Sequence, residues 1–358
     1  MAPSKRHEDI VERTLRVCMN TTYAYPLTIK DGDGCYIIDL KGKRYLDFIA
    51  NVSTANVGYK HPEITGVLER YAKLGAHKIA GQDFYTEEQL ALAEKLLSMC
   101  PSRMGKVFFT NSGAEAVENA LKMAYRKLGP LPGVSCVGAF HGRTLGALTF
   151  TDSKPVHKKN YPSLPRIPIP FITSKDDPEL DKLEDRLSGC KVAFIITEAV
   201  QGEGGYRVAC REFIQKLRQI SKSMDVPLII DEIQAGMGRT GKWWGFQHYD
   251  VIPDIMTAAK SLQVGATVAD PAYEPKERGA ISSTWGGGSR IDLAVGLKMI
   301  EIIEKEGLLE NAARMGKYLL KRLKELSQRY TSIMNVDGLG LMLKMDLPTH
   351  AQQEEVVQ

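Results

Sequence analysis

The sequence predicts an α/β protein built on a mostly parallel sheet, and three observations predict it. Short, nearly continuous apolar runs alternate with helical stretches through the middle of the chain. Those runs lack the in-and-out alternation of a half-exposed strand, as strands covered on both faces do. The chain has 358 residues, 43% hydrophobic and 25% charged, a globular composition long enough for one large or two medium domains.

Taken in order, DIVERTLRVC near the start reads as a short helix. In TIKDGDGCYIIDLKGKRYLDF, apolar alternation broken at Asp-Gly and Lys-Gly turns favours antiparallel strands. TEEQLALAEKLLSMC has the apolar period of a helix, with Thr86 at its start. Then come the apolar runs KVFFT, VSCVGAF, AFIITEAV, PLIIDEI and DIMTAA, with the helices AEAVENALKMAYRK and REFIQKLRQISKSM between several of them. Such alternation implies right-handed crossovers. NYPSLPRIPIP reads as a surface loop by its proline content. Further on, two long amphipathic helices split near Gly307, and a strand-like GLGLMLKMDL follows. The expected layout is a large α/β domain over residues 51–288. A smaller α+β domain is drawn from residues 1–50 and from an incomplete segment, 289–358.

Charge and cysteine usage narrow the function classes. The 47 basic and 43 acidic residues are interspersed, leaving a net +4 with no basic block of the kind that binds nucleic acid. Six cysteines form no CxxC pair, so neither a zinc framework nor a disulfide scaffold is expected, and buried, inert thiols are. No apolar run reaches the roughly 18 residues of a membrane span, and the charged N-terminus lacks a signal core. The expectation is a cytoplasmic protein with neither nucleic acid nor membrane as a partner.

Five stretches carry chemistry. In VFFTNSGAEAVENALK a strand runs into a helix start, where unsatisfied N–H groups favour a phosphate. Gly113 would let the backbone approach closely and Ala114 adds no bulk, but a plain cap by Asn111 or Ser112 accounts for the same residues. In GAFHGRTLG, Phe140 could stack on a planar ring and Arg143 could take a carboxylate, or the pair could be a core aromatic beside a surface arginine. FIITEAVQGEGGY places Glu198 at a strand end, where open α/β sheets bind ligands, and Glu203 in a glycine-rich loop. Finally, PLIIDEIQ and IMTAAKS bury Asp231 behind apolar residues and set Lys260 among small ones. A buried aspartate calls for a cation such as a protonated pyridine nitrogen, and a desolvated lysine suits imine formation. Gln234, three residues on, could bond a phenolic oxygen of the same ring.

A phosphate cradle, a stacking aromatic, a ring-nitrogen acid and an imine-forming lysine are together what pyridoxal phosphate requires. The chain resembles the class III (ω-amino-acid) pyridoxal-phosphate aminotransferases of fold type I. NSGAEAVENALK, FHGRT, EAVQGEGG, DEIQAGMGRTG and AAKSLQVG match the family's motifs in order. The resemblance implies Lys260 as the catalytic lysine that holds the cofactor's aldehyde, and Asp231 as partner of its ring nitrogen. It implies Gln234 on the ring oxygen, Ile233 and Phe140 on the two ring faces, and Gly113 and Ala114 on the phosphate. Thr284 would reach the phosphate of a neighbouring subunit, so the resemblance implies a homodimer with shared sites. Arg143, Glu203 and Val52 would meet the substrate, Arg143 binding its distal carboxylate and Glu203 neutralising a second, C-terminal arginine.

Three departures accompany the match. Ala199 stands where the family usually has proline, Asp337 stands where it usually has arginine, and the chain ends before the family's C-terminal segment, which would carry that second arginine. The resemblance implies transfer of a terminal amino group from 4-aminobutyrate, lysine, ornithine or acetylornithine to 2-oxoglutarate. STWGGG and KSLQVG look most like lysine 6-aminotransferases. A racemase or aminomutase of the same fold would share every cofactor residue, and an inactive, shortened relic would keep them. A requirement for a keto acid separates the transaminase from both.

Overall fold

In the computed structural model, residues 3–19, 21, 25, 27–79, 83–281, 285 and 287–349 are described. The chain opens with a helix, Pro3–Val17, which starts earlier than DIVERTLRVC predicts. Strands β1 (Ile29–Asp33), β2 (Tyr36–Asp39) and β3 (Arg44–Leu46) form the expected antiparallel meander. Its turns fall at the two glycine positions read from the sequence, Gly34 (φ +54°) and Gly42 (φ +86°), where a side chain would be strained.

The site is positioned by a seven-stranded sheet. In chain order its strands and the small hairpin inserted among them are β4 (Lys106–Thr110), β5 (Gly133–Cys136), β6 (Arg166–Ile169), β7 (Phe194–Glu198), the hairpin β8 (Val200–Gln201) and β9 (Arg207–Val208), β10 (Leu228–Asp231), β11 (Ile255–Ala258) and β12 (Gly265–Ala269). Across the sheet the order is β4-β12-β11-β10-β7-β5-β6. Neighbours from β11 through β6 are parallel, and β12 alone runs against both of its neighbours.

The continuous apolar runs are explained by burial on both faces. Along β10, Leu228 and Ile230 join one core and Ile229 the other. β7 alternates likewise, with Ile195 on one side and Phe194 and Ile196 on the other. One core is covered by the Arg211–Ser223 helix through Phe213, Ile214, Leu217 and Ile220. The other is covered by the Gly113–Leu128 helix through Val117, Ala120, Leu121 and Ala124. A strand with apolar partners on both sides has no reason to alternate polar residues.

Two expectations needed correction. NYPSLPRIPIP is not all loop, because its second half is β6. The segment can be a strand despite Pro168 because β6 is the sheet's edge, where a missing N–H leaves no neighbour unpaired. The cysteines are also not uniformly buried: Cys18 and Cys35 are exposed and only Cys136 is fully buried.

The helix beginning after Thr86 spans Glu87–Ser98, and Thr86 Oγ1 accepts from Gln89 N at 3.2 Å. The two long C-terminal helices are Arg290–Lys305 and Leu308–Arg329, parted at Gly307 (φ +61°) as read from the sequence. The hairpin β13 (Met334–Leu339) and β14 (Met342–Asp346) follows, and Met342 and Leu339 pack on Val200 and Ala235. Asp337 lies opposite Lys344 in this hairpin, and the Lys344 ammonium pairs with Asp346 at 3.2 Å.

Candidate active site

The C-terminal ends of the parallel strands open into a cleft of about 690 Å³. Ligands in open α/β sheets bind at this edge, because the strand ends and the helix N-termini converge there. Of the residues singled out from sequence, Gly113, Ala114, Phe140, Arg143, Asp231, Ile233, Gln234 and Lys260 line the cleft. Val52 and Glu203 stand outside that lining, and Thr284 lies outside the described residues.

The helix start works both as a cap and as an open cradle. Ser112 Oγ accepts from Glu115 N at 3.3 Å, and Glu115 in turn receives Asn111 N at 2.7 Å. This cap uses the third amide of the helix, so those of Gly113 and Ala114 are not consumed by it. A Cβ on Gly113 would come within 2.8 Å of Ile233 Cδ1, and one on Gly142 within 2.8 Å of Ala114 Cβ. Gly142 also has φ +130°. The two glycines let the loop after β5 and the segment after β10 close on the helix start.

Asp231 ends β10 and is 4% exposed. Its Oδ1 accepts from Ile233 N and from Thr257 Oγ1, both at 3.0 Å. Its Oδ2 accepts from His141 Nδ1 at 2.9 Å and keeps a second lone pair for another donor. His141 was passed over in the sequence because it sits next to Phe140 and Arg143, both of which had an evident reading. Its place directly after a buried strand was the available signal.

Lys260 follows β11 and opens a short 3-10 helix, Lys260–Leu262, its own φ being +51°. A lysine there is uncommon and is held by its surroundings. Burial pushes its ammonium below the usual lysine range, against the pull of Asp231, Glu203 and Glu198. Gln263 Nε2 donates to both Lys260 O (3.2 Å) and Thr54 O (3.1 Å), tying the lysine's backbone to the mouth of the cleft. Just before Thr54 lies an unusual turn, Ala50–Ser53, in which all four residues have positive φ. Asp47 stabilises it by accepting from Ile49 N at 3.0 Å and Asn51 N at 2.8 Å. Val52 lies within it, 42% exposed.

Two further carboxyls are buried at this end of the sheet. Glu198 ends β7, and its oxygens accept from Phe140 N and Gly202 N, each at 3.1 Å. Burial pushes it up to about 7, opposed by His141 and reinforced by Asp231. Glu232 receives Gly245 N at 2.7 Å and Phe246 N at 2.8 Å, and burial pushes it up to about 8.

The rim differs. Arg143 is exposed there. Glu203 Oε2 lies 3.6 Å from Lys154 Nζ, a cation supplied by a neighbouring loop. Phe140 meets the His157 ring edge-on, with centroids 5.9 Å apart, and Gln234 Nε2 donates to Tyr206 OH at 3.4 Å.

A buried acid with a lone pair to spare, a desolvated lysine and an open helix start in one cleft make comparison with known proteins informative. The sequence profile of the class III aminotransferases matches residues 18–358. The chain belongs to this family. It is 38% identical over 349 residues to an acetylornithine aminotransferase of Archaeoglobus fulgidus, covering 96% of this chain and 88% of that one. It is 34% identical over 333 residues to an acetylornithine aminotransferase of Methanocaldococcus jannaschii, covering 90% of this chain and 81% of that protein. Among solved structures, the lysine aminotransferase of M. tuberculosis in its internal aldimine form superposes with a TM-score of 0.86 at 29% identity, covering 100% of this chain and 89% of that one.

The α/β architecture with its mixed, mostly parallel sheet is thus that of the fold type I enzymes, and this class III aminotransferase uses pyridoxal phosphate. Its residues fit that group. The cleft volume falls in the range of cofactor sites, and the donors and acceptors at its floor match a phosphate, an aldehyde and a ring nitrogen. No helix among the described residues is long and apolar enough to cross a membrane.

Proposed function

We propose that this aminotransferase moves the terminal amino group of N-acetylornithine, or of a close ω-amino acid, to a 2-oxo acid such as 2-oxoglutarate. The observation that carries the reading is the position of Lys260 and Asp231 on one cleft floor, with Arg143 exposed on the rim above. The relatives named acetylornithine aminotransferase support the donor. Charge supports it too. Arg143 attracts a carboxylate, and an acetylated α-nitrogen carries no charge for it to repel. Lysine, whose free α-ammonium would face that same cation, is the second reading, supported by the M. tuberculosis neighbour.

In this reading the amides of Gly113 and Ala114 hold the phosphate, Phe140 and Ile233 cover the ring faces, and Gln234 bonds the ring oxygen. Asp231 Oδ2 accepts the ring N–H on its remaining lone pair. The bound cofactor supplies an electron sink for the carbon that loses its proton. Lys260, whose ammonium burial pushes below the usual lysine range, would take that proton on Nζ and return it. Arg143 orients the substrate's carboxylate, while Val52 and the Ala50–Ser53 turn limit what fits through the mouth. Glu203, held by Lys154, can turn toward an incoming cation or away from an incoming carboxylate.

The working form in this reading is a homodimer, as the family resemblance implies. The exposed aromatics Phe48 (81%), Phe84 (60%), Tyr85 (99%) and Trp285 (53%) support a second copy covering them. The test is steady-state transamination with acetylornithine, lysine and 4-aminobutyrate, each with and without a 2-oxo acid, alongside sedimentation. The reading requires acetylornithine to give the highest kcat/KM, strict dependence on the 2-oxo acid, and a dimer. Turnover without a 2-oxo acid would make the protein an isomerase.

A further inference from the structure

The floor of the cleft holds more ionisable groups than cofactor binding uses. β7 and β10 are parallel neighbours, and their register sets Glu198 directly beside Asp231. Register partners on adjacent strands point to the same face, so two carboxyl side chains stand together at two strand ends. Both are buried, at 6% and 4% exposure. Two buried carboxyls so placed repel each other when both are charged.

Their hydrogen bonds differ. Asp231 receives a hydroxyl, a backbone amide and the His141 ring, the Oδ2 contact with Nδ1 being 2.9 Å. Glu198 receives only two backbone amides, at 3.1 Å each. His141 is 1% exposed, and its buried Nε2 has no hydrogen-bond partner among the described residues. Leaving a ring nitrogen unpaired in the interior is costly, so a packing role alone would be better met by an apolar side chain of the same size.

We propose that His141 is a positioning residue that fixes which of the two adjacent carboxyls is charged: its Nδ1–H holds the negative charge on Asp231, and the shared proton stays on Glu198. The proposal rests on Asp231 facing the cofactor's ring nitrogen. It has a clear consequence: the floor presents one negative charge to that nitrogen and not two. It also leaves a neutral Glu198 joining the backbone of Phe140 to that of Gly202. The groups facing Glu198 are Asp231 from β10, His141 from the loop after β5, the Cys136 thiol of β5 and Lys260 from the turn after β11.

Infrared difference spectra and ring-nitrogen NMR test it together. In the cofactor-loaded protein, the carbonyl band of a protonated carboxyl should fade as pH rises through about 7, and that band should be missing in Glu198→Gln. In His141→Phe, part of the band should move to a carboxyl that Asp231→Asn removes. The nitrogen signal of ring-15N pyridoxal phosphate should lose its protonated character at a pH lower by about one unit or more. His141→Asn, whose amide can replace Nδ1–H, should restore both. An unchanged band and an unmoved ring-nitrogen titration in His141→Phe would overturn the proposal. Should His141→Phe not fold, Glu198→Gln decides: it should retain a protonated ring nitrogen and lose the transition near 7, and a ring nitrogen deprotonated at neutral pH there overturns the idea. The infrared arm also runs without cofactor. A protein that binds no pyridoxal phosphate yet shows the proton on Glu198 would refute the cofactor geometry alone.

Discussion

The floor and the rim of the cleft are built by opposite means. On the floor, Asp231, Glu198 and His141 are almost fully buried, sit at or just beyond strand ends, and have specific hydrogen-bond partners. On the rim, Arg143 is exposed and the Glu203–Lys154 pair is 36% and 55% exposed, with 3.6 Å between charges. Groups held in the interior act on a bound ring with little screening, whereas exposed pairs are screened by water and worth little each. The floor is therefore suited to the invariant chemistry of the cofactor, and the rim to selecting among substrates by modest preferences. Mutations should reproduce that gradient.

The largest effect is expected at Lys260. Lys260→Ala should reduce turnover by at least about four orders of magnitude, since each 1.36 kcal/mol lost from the transition state costs about tenfold. Borohydride, which should bleach the yellow native protein and fix the cofactor covalently on Lys260, should attach none to the variant. Mass spectrometry of the reduced peptide checks this. Asp231→Asn comes next: cofactor should remain bound while kcat falls by about two to four orders of magnitude, because the neutral amide no longer holds the ring nitrogen protonated. Near-native kcat in that variant would place the ring partner elsewhere.

On the rim, Arg143→Ala should raise KM for acetylornithine by about tenfold to a hundredfold, with kcat changed far less. If kcat falls as much as for Asp231→Asn, the contrast between the two regions does not hold. Lys154→Ala should have the smallest effect, a few-fold change in KM for the 2-oxo acid that fades in high salt.

The buried carboxyls also predict how stability varies with pH. Glu198 and Glu232 are pushed up to about 7 and 8 from an ordinary 4.5, so their protonated forms favour the fold. That stability is fully present below about 4.5 and is lost as pH rises through 7 and then 8. Glu88, held down to about 2 by Arg290 and Tyr71 despite its burial, acts in the other direction, its contribution being lost only as pH falls through that value. The melting temperature should therefore decline across neutral to mildly alkaline pH, and Glu232→Gln should flatten the decline. A flat profile between pH 5 and 9, roughly, would mean that these carboxyls ionise freely in the fold.

Much of this was legible in the residues. The apolar runs KVFFT, PLIIDEI and DIMTAA marked β4, β10 and β11, because strands buried on both faces have little choice but to be apolar throughout. β12 was not read as a strand: GATVA is short, has small side chains, and is recognisable only by its place between β4 and β11. β6 was hidden by its prolines, which an edge strand tolerates. Asp231 and Lys260 stood out because a charged residue among apolar ones needs a reason. Glu198 was noticed only as a strand end, and His141 was given no role, since nothing in either stretch names the residue it meets.

The sequence by itself determined most of the element types, the family and Asp231 and Lys260 as residues able to take part, because these depend on local period, local charge and ordered motifs. The tertiary structure alone decided who meets whom. His141 and Asp231 are 90 residues apart in the chain and 2.9 Å apart in space. Glu198 stands beside Asp231 only because β7 and β10 pair in that register, and a slip of one residue would turn one of the two to the opposite face. Lys154 becomes the partner of Glu203 through the packing of two loops. Burial raises a carboxyl's pKa and lowers a lysine's, and burial belongs to the folded chain as a whole, so the chemistry of these groups could be set only there.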